Sequence, residues 1–492
     1  MDHRPCVPGT SLIAEQPPAH RRRRRVLRRV LLTALAGGAV AGAVLMLVPR
    51  EQAHEPARPP AEAPRTQALT AVASGVPAAL PRLTALIEQQ EQRVRAQPRD
   101  ARAWAVLGAA YVERGRRTAD AAEYPKAERA LRTSLELRGK RIGGDTAALE
   151  GLAALAVARR DFPAAKRYGE QALKLAPKRW TVFPPLIDAY AGLGDHTAVR
   201  RTLEKLLALR TGTATRSAVM AQAAVVYRDR GWREDAAAQL TDAAAAAGTP
   251  TEQAARLTGL GQLAWERGDL QDALRHFEAA LRLDATTPAA AAGRGRTLAA
   301  LGRTAQALAA YRSALSQDPR APDALELGEL YESLGMARQA RAQYDRMEEL
   351  VRRAVAGGVD QELLIGRFEA DHGDAQDAVR RLRAEWRRQP GAEVADALGW
   401  ALHRAGDDKE ALTYADAATD RAKGGGVLSA PYAFHRGVIE KELALYGPAR
   451  RHLRQALRIN PYFSPLRVPA ARAALGALGD APDEPLPTGT SR

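Results

Sequence analysis

The chain of 492 residues has one cysteine, Cys6, and only 5% aromatic residues. A single thiol forms no internal disulfide, so the fold needs no oxidising compartment to close it. With so few aromatics, much of the packing must rest on Ala and Leu between closely approaching elements. Strand-like alternation of apolar and polar residues is absent, which excludes a sheet-based core. The nine histidines are scattered; His403 and His435 lie in successive segments at non-equivalent positions and do not converge as metal ligands would. Gly424-Gly425-Gly426 lacks the Lys-Ser/Thr that completes a phosphate loop and reads as a connector, and there is no nucleophile elbow. The expectation is a protein without enzymatic activity, metal or cofactor.

A concentrated basic stripe is missing too. The formal charge is +16, but residues 1–50 hold nine Arg against two acidic residues, which accounts for +7. The remaining +9 is spread over 442 residues without a dense run, so no nucleic-acid partner is expected. Arginine outnumbers lysine 64 to 9, a composition typical of high-GC bacterial genomes.

Long apolar runs are absent except for one, Val30 to Val48, which follows Arg21 to Arg25, Arg28 and Arg29. Nineteen helical residues span ~28 Å, close to the hydrocarbon core of a bilayer. Arginines on its N-terminal side predict a single-pass anchor with residues 1–29 cytoplasmic and everything beyond residue 48 extracytoplasmic. Pro49-Arg50-Glu51 is a poor cleavage context, which favours retention of the anchor. Ala34, Gly38 and Gly42 are spaced so that two anchors can pair into a homo-oligomer. Residues 49–81 contain seven prolines and read as an extended linker. Residues 82–98 read as a capping helix, 99–463 as the main domain, 464–479 as a closing helix and 480–492 as a loose tail.

That main domain is built on a unit recurring every 33 to 38 residues. A small residue that opens a second helix falls on Ala127, Ala165, Val199, Ala236, Ala273, Ala307, Ala340, Ala378, Ala411 and Ala449. A turn glycine stands five residues earlier at Gly194, Gly231, Gly268, Gly302, Gly335, Gly373 and Gly406. Pro177, Pro319, Pro390 and Pro461 close four of the units. A fixed period of this kind marks stacked repeats, not an irregular bundle.

The opening Trp104-Ala105-Val106-Leu107-Gly108-Ala109-Ala110-Tyr111 and the later Ala273-x-x-x-Phe277 resemble the two halves of the tetratricopeptide repeat. The resemblance implies an all-α fold, a right-handed superhelical solenoid of about ten helix-turn-helix units, here preceded by one transmembrane helix. It also implies a concave groove, lined by first helices, that holds a protein or peptide partner. Carried onto this chain, the groove positions are Gln262, Trp265, Arg296, Glu329, Glu332, Arg367, Trp400, His403, Phe434 and Lys441. The alternative for Trp265 and Trp400 is packing against the adjacent helix. The chain looks similar to membrane-anchored extracytoplasmic tetratricopeptide proteins of high-GC bacteria, which implies a tethered scaffold of the cell envelope. Two further readings remain: an assembly factor resembling cytochrome c maturation proteins, which would bind a Cys-x-x-Cys-His peptide, and a secreted protein cleaved near residue 50.

Overall fold

The computed structural model describes residues 77–138, 146–209, 211–420 and 426–479. The predicted anchor 30–48, nearly all of the 49–81 linker and the tail 480–492 lie outside the described residues. Among those described, no helix is long and apolar enough to cross a membrane.

The described residues form 22 α-helices and no strand. Helix α1 (Leu80–Ala96) precedes ten helix hairpins, and α22 (Arg467–Leu478) follows them. The first three hairpins are α2 (Ala101–Thr118) with α3 (Glu123–Arg138), α4 (Thr146–Ala158) with α5 (Phe162–Leu175), and α6 (Phe183–Gly192) with α7 (His196–Leu207). Next come α8 (Thr213–Asp229) with α9 (Arg233–Ala245), α10 (Pro250–Glu266) with α11 (Leu270–Leu283), and α12 (Pro288–Ala300) with α13 (Thr304–Gln317). The last four are α14 (Ala321–Ser333) with α15 (Ala337–Ala356), α16 (Glu362–His372) with α17 (Ala375–Arg388), α18 (Ala392–Arg404) with α19 (Asp408–Thr419), and α20 (Ala430–Glu442) with α21 (Tyr446–Ile459).

The periodic small residues lie where the helices of a pair cross: all ten are buried, none more than 7% exposed. In eight of the ten, four residues further on stands a large side chain, Leu131, Leu203, Leu240, Phe277, Tyr311, Tyr344, Leu382 or Leu453; Gly169 and Ala415 take that place in the other two. Phe277, 1% exposed, lies so close to Gly261 that a Cβ there would fall 2.7 Å from its ring; Gly293 of the next repeat approaches the same ring from the other side. Glycine on both first helices thus lets one phenylalanine join two repeats. Six of the seven turn glycines take positive φ one residue past their helix's C-cap; Gly373, at φ −134°, does not, because α16 runs to His372 and Gly373 is itself the C-cap. The closing prolines each follow an extended C-cap residue, such as Asp318 (φ −152°) or Asn460 (φ −155°), the conformation that proline imposes on its predecessor.

The superhelix closes on itself. A Cβ on Gly194, in the α6–α7 turn, would lie 2.5 Å from the Pro390 carbonyl oxygen in the α17–α18 loop. One repeat on, Gly231 stands against Gly426; one further, Gly268 stands against Pro461. Asn460 Nδ2 donates to the Trp265 carbonyl at 2.8 Å across 195 residues, and Arg233 donates to the Leu428 carbonyl across the same interval. Phe162 N donates to Gln389 Oε1 at 3.1 Å, and Arg117 pairs with Asp284 at 2.7 Å with both side chains nearly buried. The turns of the solenoid are therefore in contact along this seam.

Candidate functional site

The first helices line the inner face, and the ten groove positions meet different fates on it. Gln262 and Trp265 border a cavity of about 1060 Å³ bounded by α6–α10 and, one turn later, by the α17–α18 and α19–α20 loops. This is at the upper end of the ~300–1,000 Å³ usual for ligand pockets. Arg296 donates to Glu326 through Nε (3.1 Å) and Nη2 (2.7 Å), to Gln262 Oε1 at 3.2 Å, and stands 5.6 Å from the Trp265 ring. Glu329 and Glu332 flank His372, and Tyr344 donates its hydroxyl to Glu332 at 2.6 Å. Arg367 donates to the Glu393 carbonyl oxygen at 3.4 Å.

The far end of the series is more tightly packed. Trp400, 6% exposed, donates Nε1 to Asp371 at 2.8 Å and stacks on His435 at 4.3 Å between centroids. Arg467, from the closing helix α22, lies 5.5 Å from the Trp400 ring and pairs with Asp371. Phe434 is 2% exposed, packed between Trp400 and Phe463. His403 Nδ1 is 2.6 Å from Asp408, and Lys441 pairs with Glu442. Only Gln262 and Trp265 among the ten border the cavity.

The cavity's charged lining is mixed. Burial pushes the Asp188 carboxyl up to about 6, although Gln222 donates to it at 3.1 Å. Asp229 beside Arg228 raises the guanidinium further above its usual range, and Glu266 adds to this at 3.9 Å. Enclosure raises the Glu393 carboxyl, but Arg367 and Arg160 outweigh it and hold Glu393 below the usual carboxylate range. Arginines and carboxylates alternate around the space, an arrangement that suits a guest carrying both donors and acceptors, as a peptide backbone does.

One side chain stands out in this lining. Most of the hairpin turns place a polar residue before the second helix: Asp161, Asp195, Asp374 and Asp407 each accept a hydrogen bond from a backbone N–H of the helix they open. At the same place α9 has Trp232, which, like Asp269, Arg303, Met336 and Leu445 at the starts of other second helices, makes no side-chain cap. Trp232 is 43% exposed, stacked by Arg230 at 3.9 Å, and borders the cavity. The period gave Trp232 no groove position because it lies in the turn before a second helix; its signal was an aromatic residue where the neighbouring repeats have Asp195 and Asp269. Glu326, Asp371 and Glu393 were missed likewise, each within four residues of a groove position or an adjacent helix start.

A tetratricopeptide repeat family profile matches residues 221–288 and 258–322. The units there are tetratricopeptide repeats. They span α10 to α13 and most of α8 and α9, and so include Trp232, Gln262 and Trp265. No curated protein matches the chain. Among solved structures, yeast Tom70 is similar at 16% identity, covering 75% of this chain and 88% of that one, with a TM-score of 0.36. The human IFIT1 dimer with m7Gppp-AAAA is similar at 18% identity over 69% and 77%, TM-score 0.45. A tetratricopeptide repeat protein from Parabacteroides merdae aligns at 18% identity over 54% and 99%, TM-score 0.32.

Proposed function

We propose that the chain is a membrane-tethered, non-enzymatic scaffold that holds a segment of a protein partner in the inner face of its solenoid, on the extracytoplasmic side. A tetratricopeptide solenoid is suited to protein binding, and the exposed Trp232 inside the cavity is the observation that carries the site. Trp and Arg dominate binding energy where they are surrounded by packed surface, and here Trp232 and Arg230 border the cavity, whereas Trp265, 7% exposed, is held in the core with Leu270 and Phe277. Tethering rests on the apolar run 30–48 behind its arginines, and sidedness on the charge bias across it.

Two measurements test the reading. A photocrosslinker at position 262 is expected to capture a partner from membranes, whereas one at the exposed Arg338 captures none; equal capture from both would remove the inner face as the working surface. Trp232→Asp removes the exposed ring and should abolish that capture while the chain keeps its helical content by circular dichroism. Separately, removing residues 1–48 should release the chain from the membrane fraction, and intact cells should expose its solenoid to added protease. A chain that stays with membranes without residues 1–48 would overturn the tether.

A further inference from the structure

The seam has a direction. In each contact along it, the turn inside an early hairpin meets a loop between later hairpins, one superhelical turn on. Arg117 pairs with Asp284, Phe162 N donates to Gln389, Gly194 stands against Pro390, Gly231 against Gly426 and Gly268 against Pro461. Every copy of the chain therefore carries two edges that the seam does not use. One is made by the turns inside the later hairpins, the other by the loops between the earlier ones.

Both edges are open. Among the described residues, a Cβ on Gly302, Gly335 or Gly406 would meet nothing within 4 Å, and the same holds for Gly212 in the α7–α8 loop. Side chains at matching places show the same contrast. Arg233 and Leu270, the first residues of α9 and α11, lie beside covered turns and are buried. Tyr446, the first residue of α21, is 55% exposed, next to the exposed Leu445. Gln389 and Asn460, which precede Pro390 and Pro461, are buried under the earlier turn of the superhelix. Gln97, which precedes Pro98 in the α1–α2 loop, is exposed.

We infer that the two open edges dock on one another between copies of this chain, the later hairpin turns of one copy against the earlier loops of a second. The occupant is a second copy because the interface already exists inside the chain, and the open edges continue both of its sides. Gln97-Pro98 repeats the Gln389-Pro390 pair, whose glutamine accepts the Phe162 N–H across the seam. Apolar surface stands on both edges: Leu334, Leu445 and Tyr446 on the turns, Leu175 and Leu207 beside the loops. The loop edge also exposes Lys174, Lys178 and Lys205, so two loop edges set face to face would bring like charges together. Unlike edges must meet. Such a contact is heterologous, each pair keeps one edge of each kind free, and copies add in line along the superhelix axis.

The test uses the full chain purified in detergent, with a benzoylphenylalanine crosslinker replacing Tyr446. Isotope-heavy and isotope-light chains are mixed, irradiated and digested, and the products are read by mass spectrometry. Heavy–light hybrid peptides should join position 446 to the α1–α2, α5–α6, α7–α8 or α9–α10 loop. Their yield should fall roughly tenfold in Leu334→Arg/Leu445→Asp, because charge replaces apolar contact surface. Both replacements keep the turn, since Arg267 and Asp407 hold the matching places in other hairpins. Products of a single isotope only, hybrids mapping to any other region, or a yield indifferent to the two substitutions would each overturn the docking of unlike edges.

Discussion

Ala444 and Arg160 occupy the place that glycine fills in six other turns, and both hold positive φ, 58° and 59°. The turn geometry is dictated by the repeat, so a residue with a Cβ must bear the strain of the left-handed region. Ala444→Gly should therefore raise stability by about 1 kcal/mol, read as a higher denaturant midpoint. Phe277→Ala should act in the opposite direction by about 3–5 kcal/mol, since it empties the space that Gly261 and Gly293 share. Titration adds a third residue-scale expectation. Asp318 and Asp323, 7% and 4% exposed, are pushed by burial from the ordinary 3.8 up to about 6 and about 7, and both Asp318 oxygens lack a hydrogen-bond partner. Folded chains thus bind these protons more tightly than unfolded ones. The stability the two groups contribute is present at acid pH and falls as pH rises from 3.8 through about 7. Asp323→Asn should flatten that slope, and Asp318→Asn should raise the thermal midpoint at pH 8; an unchanged slope and midpoint would contradict the assignment.

Among the elements, α22 shows how the last repeat is closed. Val468 and Ala471 are buried, and Arg450 of α21 donates to the Leu478 and Gly479 carbonyls at 2.7 and 3.0 Å, capping the helix end from outside. Arg450→Ala should cost about 0.5–1.5 kcal/mol and speed hydrogen exchange over 467–478 with little change in α10–α13. The same helix decides the state of Trp400, because Arg467 covers its ring and Phe463 covers Phe434. The period marked these two aromatics as facing inward from their helices. It carried no information about the closing segment, which is not a repeat.

At the scale of the molecule, contacts across 195 residues bring successive turns of the solenoid together and leave a cavity between them. Two glycines separate this effect from local strain. Gly194 and Gly302 have nearly the same φ, 70° and 72°, but a Cβ on Gly302 meets nothing within 4 Å, whereas one on Gly194 meets the Pro390 carbonyl. Both alanine variants bear about 1 kcal/mol of backbone strain, and the excess loss in Gly194→Ala measures the seam. Gly194→Ala should also increase the radius of gyration by X-ray scattering, and Gly302→Ala should not. If the two variants behave alike, contact between turns contributes nothing.

The sequence by itself determined the helix hairpins, the small residues at their crossings and most of the turns, because each repeat buries its apolar face on its neighbour and must carry the means to do so at a fixed interval. Gln262 and Trp265 border the cavity, but Trp265, 7% exposed, is also packed into the core, as its alternative reading had it. Only the tertiary structure decided that the turns touch, that Trp400 and Phe434 are covered, and that Trp232 is open. Those outcomes depend on the sum of many small rotations between repeats and on single contacts between residues far apart in the chain, such as Asn460 with Trp265 and Asp360 with Arg159. No one repeat contains that sum, so no period in the sequence records it.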